Sequence, residues 1–123
     1  MRIVVGGQID KDEIAAMVRS AMPEATVAVK GDLDAVMAMK KGEFDYYVGA
    51  CNTGGGGALA MALALLGKAK CATISMPGKV SSEKDIEDEV RGGKTAFGFT
   101  AQHKDQVLPV LLSILKRKEG GTL

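Results

Sequence analysis

The chain has 123 residues, 46% hydrophobic and 25% charged, with 16 glycines and 3 prolines, the profile of one globular domain with room for a core that needs no staples. Sixteen basic and fifteen acidic side chains leave a net charge of +1, too little for the electrostatic footprint of a nucleic-acid or anionic-membrane binder. Two cysteines and one histidine cannot supply a four-ligand zinc site, and without a secretory signal they suit reduced thiols in the cytoplasm.

In chain order, Arg2 to Val5 is a β-branched run ending in Gly6-Gly7, and Asp10 to Met22 carries apolar residues at Ile14, Met17, Val18 and Ala21. That is strand, turn and helix. A second strand, Ala25 to Val29, precedes a helix capped by Asp32, with Leu33, Val36, Met37 and the stem of Lys40 as its apolar face and Gly42 as its stop. A third strand, Asp45 to Ala50, runs into Cys51-Asn52-Thr53-Gly54-Gly55-Gly56-Gly57 and a helix through Leu66. A fourth, Lys70 to Ser75, is followed by the Pro77-Gly78 turn and by Ser81 to Asp85, a capping signal for a helix that stops at Gly92-Gly93. A fifth, Thr95 to Phe99, leads to Thr100 as N-cap of a last helix through about Arg117. Its apolar side is Val107, Leu108, Leu111, Leu112 and Leu115, Pro109 should kink it, and residues 116–123 should fray.

Strands alternating with helices through short loops predict a single-domain α/β fold, a three-layer sandwich around a mostly parallel five-stranded sheet. The continuous apolar runs Ile3-Val4-Val5 and Tyr46-Tyr47-Val48 fit strands covered on both faces. A flavodoxin-like order 2-1-3-4-5 would put Gly6-Gly7-Gln8 beside Cys51-Asn52-Thr53, where ligands bind in open parallel sheets. The longest apolar run, Ala58 to Leu66, falls far short of the roughly 20 residues of a membrane helix, so no membrane insertion is expected.

The run Gly54-Gly55-Gly56-Gly57 is a conformational cost at a helix start, roughly 0.5–1 kcal/mol per glycine relative to alanine. Two readings account for it. One is an anion cradle for phosphate or carboxylate, in which free backbone N–H groups and the helix dipole meet the ligand, Asn52 and Thr53 add side-chain contacts, and Gly7 and Gln8 adjoin. The other is a turn needed for close helix-on-sheet packing. The segment lacks the lysine of a Walker loop and Gly6-Gly7 lacks the dinucleotide fingerprint, so no cofactor is called for. Cys51 precedes the helix start, where its thiol can ionise as base or nucleophile, or it simply fills space at a strand end. His103 falls in the first turn of the last helix near the same rim, either as a neutral acid-base group or as a plain surface residue. Cys71, inside the fourth strand, reads as core, and Tyr46 and Tyr47 face opposite sides of the sheet. The helix 58–66 has no polar face and calls for cover from its own domain or from a second copy, hence a homo-oligomer.

Through Asp45 to Ala58, the Pro77-Gly78 turn and Lys94-Thr95-Ala96-Phe97-Gly98-Phe99, the whole chain resembles the YhfU-like family of small bacterial proteins of unknown function. The resemblance implies no catalytic residues; the family's association with genes for a transport-like membrane protein and metabolic enzymes implies small-molecule metabolism. Locally, Cys51-Asn52-Thr53-Gly54-Gly55-Gly56 is similar to a loop of the RpiB-type sugar-phosphate isomerases, whose cysteine abstracts a proton, although Asn52 stands in place of glycine. The expectation is binding of a small anionic metabolite at Cys51 to Gly57, with turnover left open. The alternatives are a proton-transfer isomerase using Cys51 and a transport-associated subunit resembling phosphotransferase-system IIB components, whose cysteine follows the first strand.

Overall fold

In the computed structural model, which describes residues 1–52 and 55–123 and side chains outside 53–58, strands and helices alternate as the sequence predicts. The elements are β1 (Arg2–Gly7), α1 (Lys11–Ala21), β2 (Thr26–Val29), α2 (Asp32–Lys40), β3 (Tyr46–Cys51), α3 (Gly55–Leu66) and β4 (Cys71–Thr73). A hairpin of β5 (Ser75–Met76) and β6 (Lys79–Val80) follows, then α4 (Glu83–Arg91), β7 (Ala96–Thr100) and α5 (Lys104–Glu119). The main sheet is parallel throughout, in the order β2-β1-β3-β7-β4. The α/β three-layer class is as expected, but the final strand lies inside the sheet, between β3 and β4, where the flavodoxin-like order would put it at the edge.

Right-handed crossovers dictate which face each helix covers. The chain steps one way from β1 to β2 and from β4 to β7, and the opposite way from β2 to β3 and from β3 to β4. Accordingly α1, α4 and α5 bury Ile14, Val18, Ile86, Val90, Leu108, Leu111 and Leu115 against one face with Tyr46, Val48, Phe97 and Phe99. Helices α2 and α3 bury Ala35, Val36, Leu59 and Ala62 against the other, with Val4, Tyr47 and Cys71. Tyr46 and Tyr47 do face opposite sides.

Local chemistry shifts several elements from their predicted places. The fourth strand divides: Lys70 belongs to a 3-10 turn, Cys71–Thr73 joins the sheet, and Ser75 enters the hairpin whose turn, Pro77-Gly78, has Gly78 at φ 78°. On α2 the buried residues are Ala35, Val36 and Ala38, whereas Leu33 is 52% exposed and Lys40 faces solvent. Of the predicted apolar face, Val36 is buried and Met37 half-buried, whereas Leu33 and Lys40 are corrected to the solvent side because α2 turns its small side chains to the sheet. Asp32 is the first residue of α2 rather than its cap. Ser82 caps α4, its Oγ accepting the Asp85 N–H at 3.1 Å. Thr100 precedes a 3-10 turn, Ala101–His103, before α5, and makes no side-chain cap. All five predicted apolar residues of α5 are buried. That helix runs through Pro109 to Glu119, and Leu123 beyond it packs against the core.

One row of glycines sets how closely the α2/α3 layer lies. Gly6, Gly49 and Gly98 are neighbours in register across β1, β3 and β7. A Cβ on Gly98 would lie 2.5 Å from Leu59 Cγ, and one on Gly6 would lie 2.6 Å from the Tyr47 ring. The row is therefore the seat on which Leu59 and the Tyr47 ring rest.

Candidate functional site

Connections leave β3 and its two neighbours toward opposite faces, so the switch points at which open parallel sheets bind ligands flank the C-terminal end of β3. Residues from the ends of β1, β3 and β7 meet there. Gly7 pairs with Ala50, whose carbonyl accepts the Gln8 N–H at 2.9 Å, and Cys51 is in register with Thr100. Strand alternation puts Cys51 and Thr100 on the α3 face, two residues beyond Gly49 and Gly98 respectively. Leu59 sits on Gly98; one helical turn back along α3 is about 6 Å, and two residues up β7 cover about 6.6 Å. The first turn of α3 thus comes level with Thr100.

The Thr100 hydroxyl is the anomaly of this rim. The residue is fully buried, and among the described residues Thr100 Oγ1 is the buried side-chain polar atom with no hydrogen-bond partner. Its backbone is well held: the Thr100 N–H donates to Ser75 Oγ at 3.0 Å, and His103 Nδ1 lies 3.0 Å from the same oxygen. Ser75, 2% exposed, therefore orients His103 while fixing the end of β7. Ser75 and His103 are thus joined through Nδ1, with the donor and acceptor roles set by the His103 tautomer.

A second network holds the β1 side. The Tyr47 hydroxyl and the Gly7 N–H both donate to Asp32 Oδ1, the latter at 3.1 Å. Burial, and then the Asp32 carboxylate, push the Tyr47 phenol far above its ordinary range. Gly7 is glycine of necessity, since at φ 80° its Cβ would sit 2.6 Å from Ala50 N. Across the rim, Lys104 Nζ bridges Asp10 Oδ2 at 3.2 Å and Glu13 Oε1 at 3.5 Å. Its hydrogen bond to Asp10 raises the Lys104 pKa. Asp10, at φ 57°, thus ties the β1–α1 loop to the start of α5.

Of the sequence-predicted site residues, Gly7, Gln8, Cys51, Asn52 and His103 belong to this rim. Gln8 and Asn52 are exposed and Cys51 is 1% exposed. Thr53 and Gly54 lie outside the described residues, and Gly55, Gly56 and Gly57 fall in the first turn of α3. Asp32 reads in the sequence as a helix cap, Tyr47 as packing, and Lys104 carries no signal; only their positions just after a strand, or along one, point to this rim. Cys71 is buried in β4, and burial pushes its thiol up. Among the described residues, no group of three or more His, Cys, Asp or Glu is placed to hold a metal ion, and no helix is long and apolar enough to cross a membrane.

Residues 1–115 match the family model described as protein of unknown function DUF2620. The chain belongs to that family. It is 36% identical over 116 residues to the uncharacterized protein YhfU of Escherichia coli strain K12, an alignment that covers 94% of this chain and 98% of the relative. The YhfU of Shigella flexneri is similar to the same extent. No solved structure matches. The family match covers both halves of the rim, from Gly7 through Lys104.

Proposed function

We propose that this DUF2620 protein binds a small anionic metabolite, bearing phosphate or carboxylate, where the glycine run 54–57 leads into α3. The buried, unpartnered Thr100 Oγ1 carries the reading. An unsatisfied buried hydroxyl costs roughly 1–3 kcal/mol, and a ligand oxygen at the start of α3 would recover that cost while meeting free backbone N–H groups. Asn52, Gln8 and His103 stand around the same crevice as polar contacts. Cys51, in register with Thr100, gives the cysteine-base alternative its place. Like Thr100, Cys51 is buried, so a ligand reaches either group only when the rim opens.

The apolar helix 58–66 supports a homo-oligomer. Met61 and Leu63 are 37% and 42% exposed, and Leu33 stands exposed on neighbouring α2. A second copy laid on this surface would cover it.

Thr100→Val tests the binding reading because its two effects have opposite sign. Without ligand the variant gains stability, having lost a buried orphan hydroxyl. With inorganic phosphate or small carboxylates it loses the ligand-induced rise in Tm seen in the parent, which at 100 times Kd corresponds to roughly 2.7 kcal/mol. Equal ligand-induced shifts in parent and variant would sink the reading.

A further inference from the structure

Beside Ser75, whose Oγ accepts the Thr100 N–H, a small cavity of about 60 Å³ is lined by Thr73, Ser75, Met76, Lys79 and Ser81. Three of its five walls are hydroxyl residues, one is an ammonium, and none is a carboxylate. Among the described residues, Lys79 has no ion pair. A cavity of this size has room for a small tetrahedral oxyanion. The β5–β6 hairpin forms its roof: Ser75 pairs with Val80 and Met76 with Lys79, and the Ser81 N–H donates to the Ile74 carbonyl at 3.0 Å. The cavity is thus framed by backbone pairing.

We infer that this cavity is a second oxyanion subsite, and that the metabolite of the rim is two-headed: a short carbon chain with an anionic group at each end. The inference rests on the binding reading for its first head, at Thr100 and α3, and on the hairpin cavity for its second. Ser75 is the shared wall, since it lines the cavity while its Oγ accepts the Thr100 N–H at 3.0 Å. In the order β3-β7-β4, the gap between β3 and β7 lies one and a half strand spacings from β4, about 7 Å, a span that a chain of a few carbons bridges. His103, hydrogen-bonded to Ser75, stands at the join as a polar contact for the middle of that chain. Lysine serves here as a point charge, and the hydroxyls supply direction.

Backbone-amide NMR of the intact protein with inorganic phosphate as the probe separates the two subsites. Phosphate is expected to shift the amides of Lys79 to Ser81 as well as those near Thr100. Lys79→Gln should weaken the hairpin response about tenfold and leave the Thr100 response in place; Thr100→Val should do the reverse. A hairpin response that survives when the Thr100 response is absent in the parent means that the binding reading has failed and the new subsite stands. Shifts confined to the Thr100 side overturn the second subsite. Two-carbon to four-carbon compounds with an anionic group at both ends should bind at least about tenfold more tightly than those with one, and Lys79→Gln should remove that advantage. Equal affinity of one-headed and two-headed compounds for the parent overturns the two-headed ligand.

Discussion

The two faces of the sheet are built from different materials. On the α1/α4/α5 side large residues interdigitate: Phe97 and Phe99 are fully buried, Tyr46 and Phe97 pack with centroids 6.4 Å apart, and α5 alone buries six apolar residues. On the α2/α3 side the sheet offers the glycine row, and the helices answer with Ala35, Ala38, Leu59 and Ala62. The first face gains its stability from apolar area removed from water. The second holds less area, but it brings a helix start close against the strand ends, and the unpartnered hydroxyl and the Tyr47–Asp32 network both lie there. The difference teaches that stability and placement are divided between the layers.

The comparison breaks if the thick face does not dominate stability. Phe97→Ala should cost about 3–5 kcal/mol, read from urea unfolding, and should leave any phosphate response intact in the folded fraction. Gly98→Ala should cost less, about 1–3 kcal/mol, because its Cβ would be driven into Leu59. It should nevertheless disturb ligand response more than Phe97→Ala does, since it displaces the start of α3. Adding Leu59→Ala should restore room and recover part of the loss of response. If Gly98→Ala leaves both stability and response unchanged, the glycine row is not a seat.

Tyr47→Phe sharpens the same contrast through pH. The folded state raises the Tyr47 pKa, so its neutral form contributes stability that is fully present below the unfolded value of about 10. That contribution declines as pH rises above it, because only the unfolded chain then ionises readily. Parent stability should therefore fall above about pH 10, and the variant should lose roughly 1–2 kcal/mol at neutrality while showing a shallower alkaline decline. Parallel alkaline profiles would remove Tyr47 from the account. The smallest effect on folding belongs to Leu63→Lys, within about 0.5 kcal/mol for a surface position. Light scattering should instead show that the variant is monomeric where the parent associates; a monomeric parent would refute the homo-oligomer.

Much of this division could be read in the chain. Tyr46 and Tyr47 separate by strand alternation, the α5 leucines repeat at helical spacing, and the strand ends gather Gly7, Cys51 and His103 at one rim. The order of the last two strands was not legible, because right-handed crossovers permit either placement. Nor was the inner face of α2: with apolar residues all around it, Ala35 and Ala38 won the sheet contact over Leu33 because the glycine row demands a close approach. Asp32 reads as an ordinary helix cap until Tyr47, fifteen residues away, brings a phenol to its carboxylate. In the same way, the hairpin cavity is assembled from Thr73, Ser75, Lys79 and Ser81, common residues with no motif between them.

The place of β7 in the sheet also governs how the protein is made. During synthesis, β3 and β4 emerge with a vacant slot between them, and α3 has no Gly98 on which to dock. Its uncharged surface waits through the translation of α4 before the last strand slides into the gap. A nascent chain halted before Ala96 leaves the facing edges of β3 and β4 unpaired and Leu59 without the seat that Gly98 provides, features that invite chaperones or aggregation. Closure of the sheet and completion of the rim are therefore one late event, and chains shortened before β7 should accumulate as insoluble protein rather than as a smaller working fold.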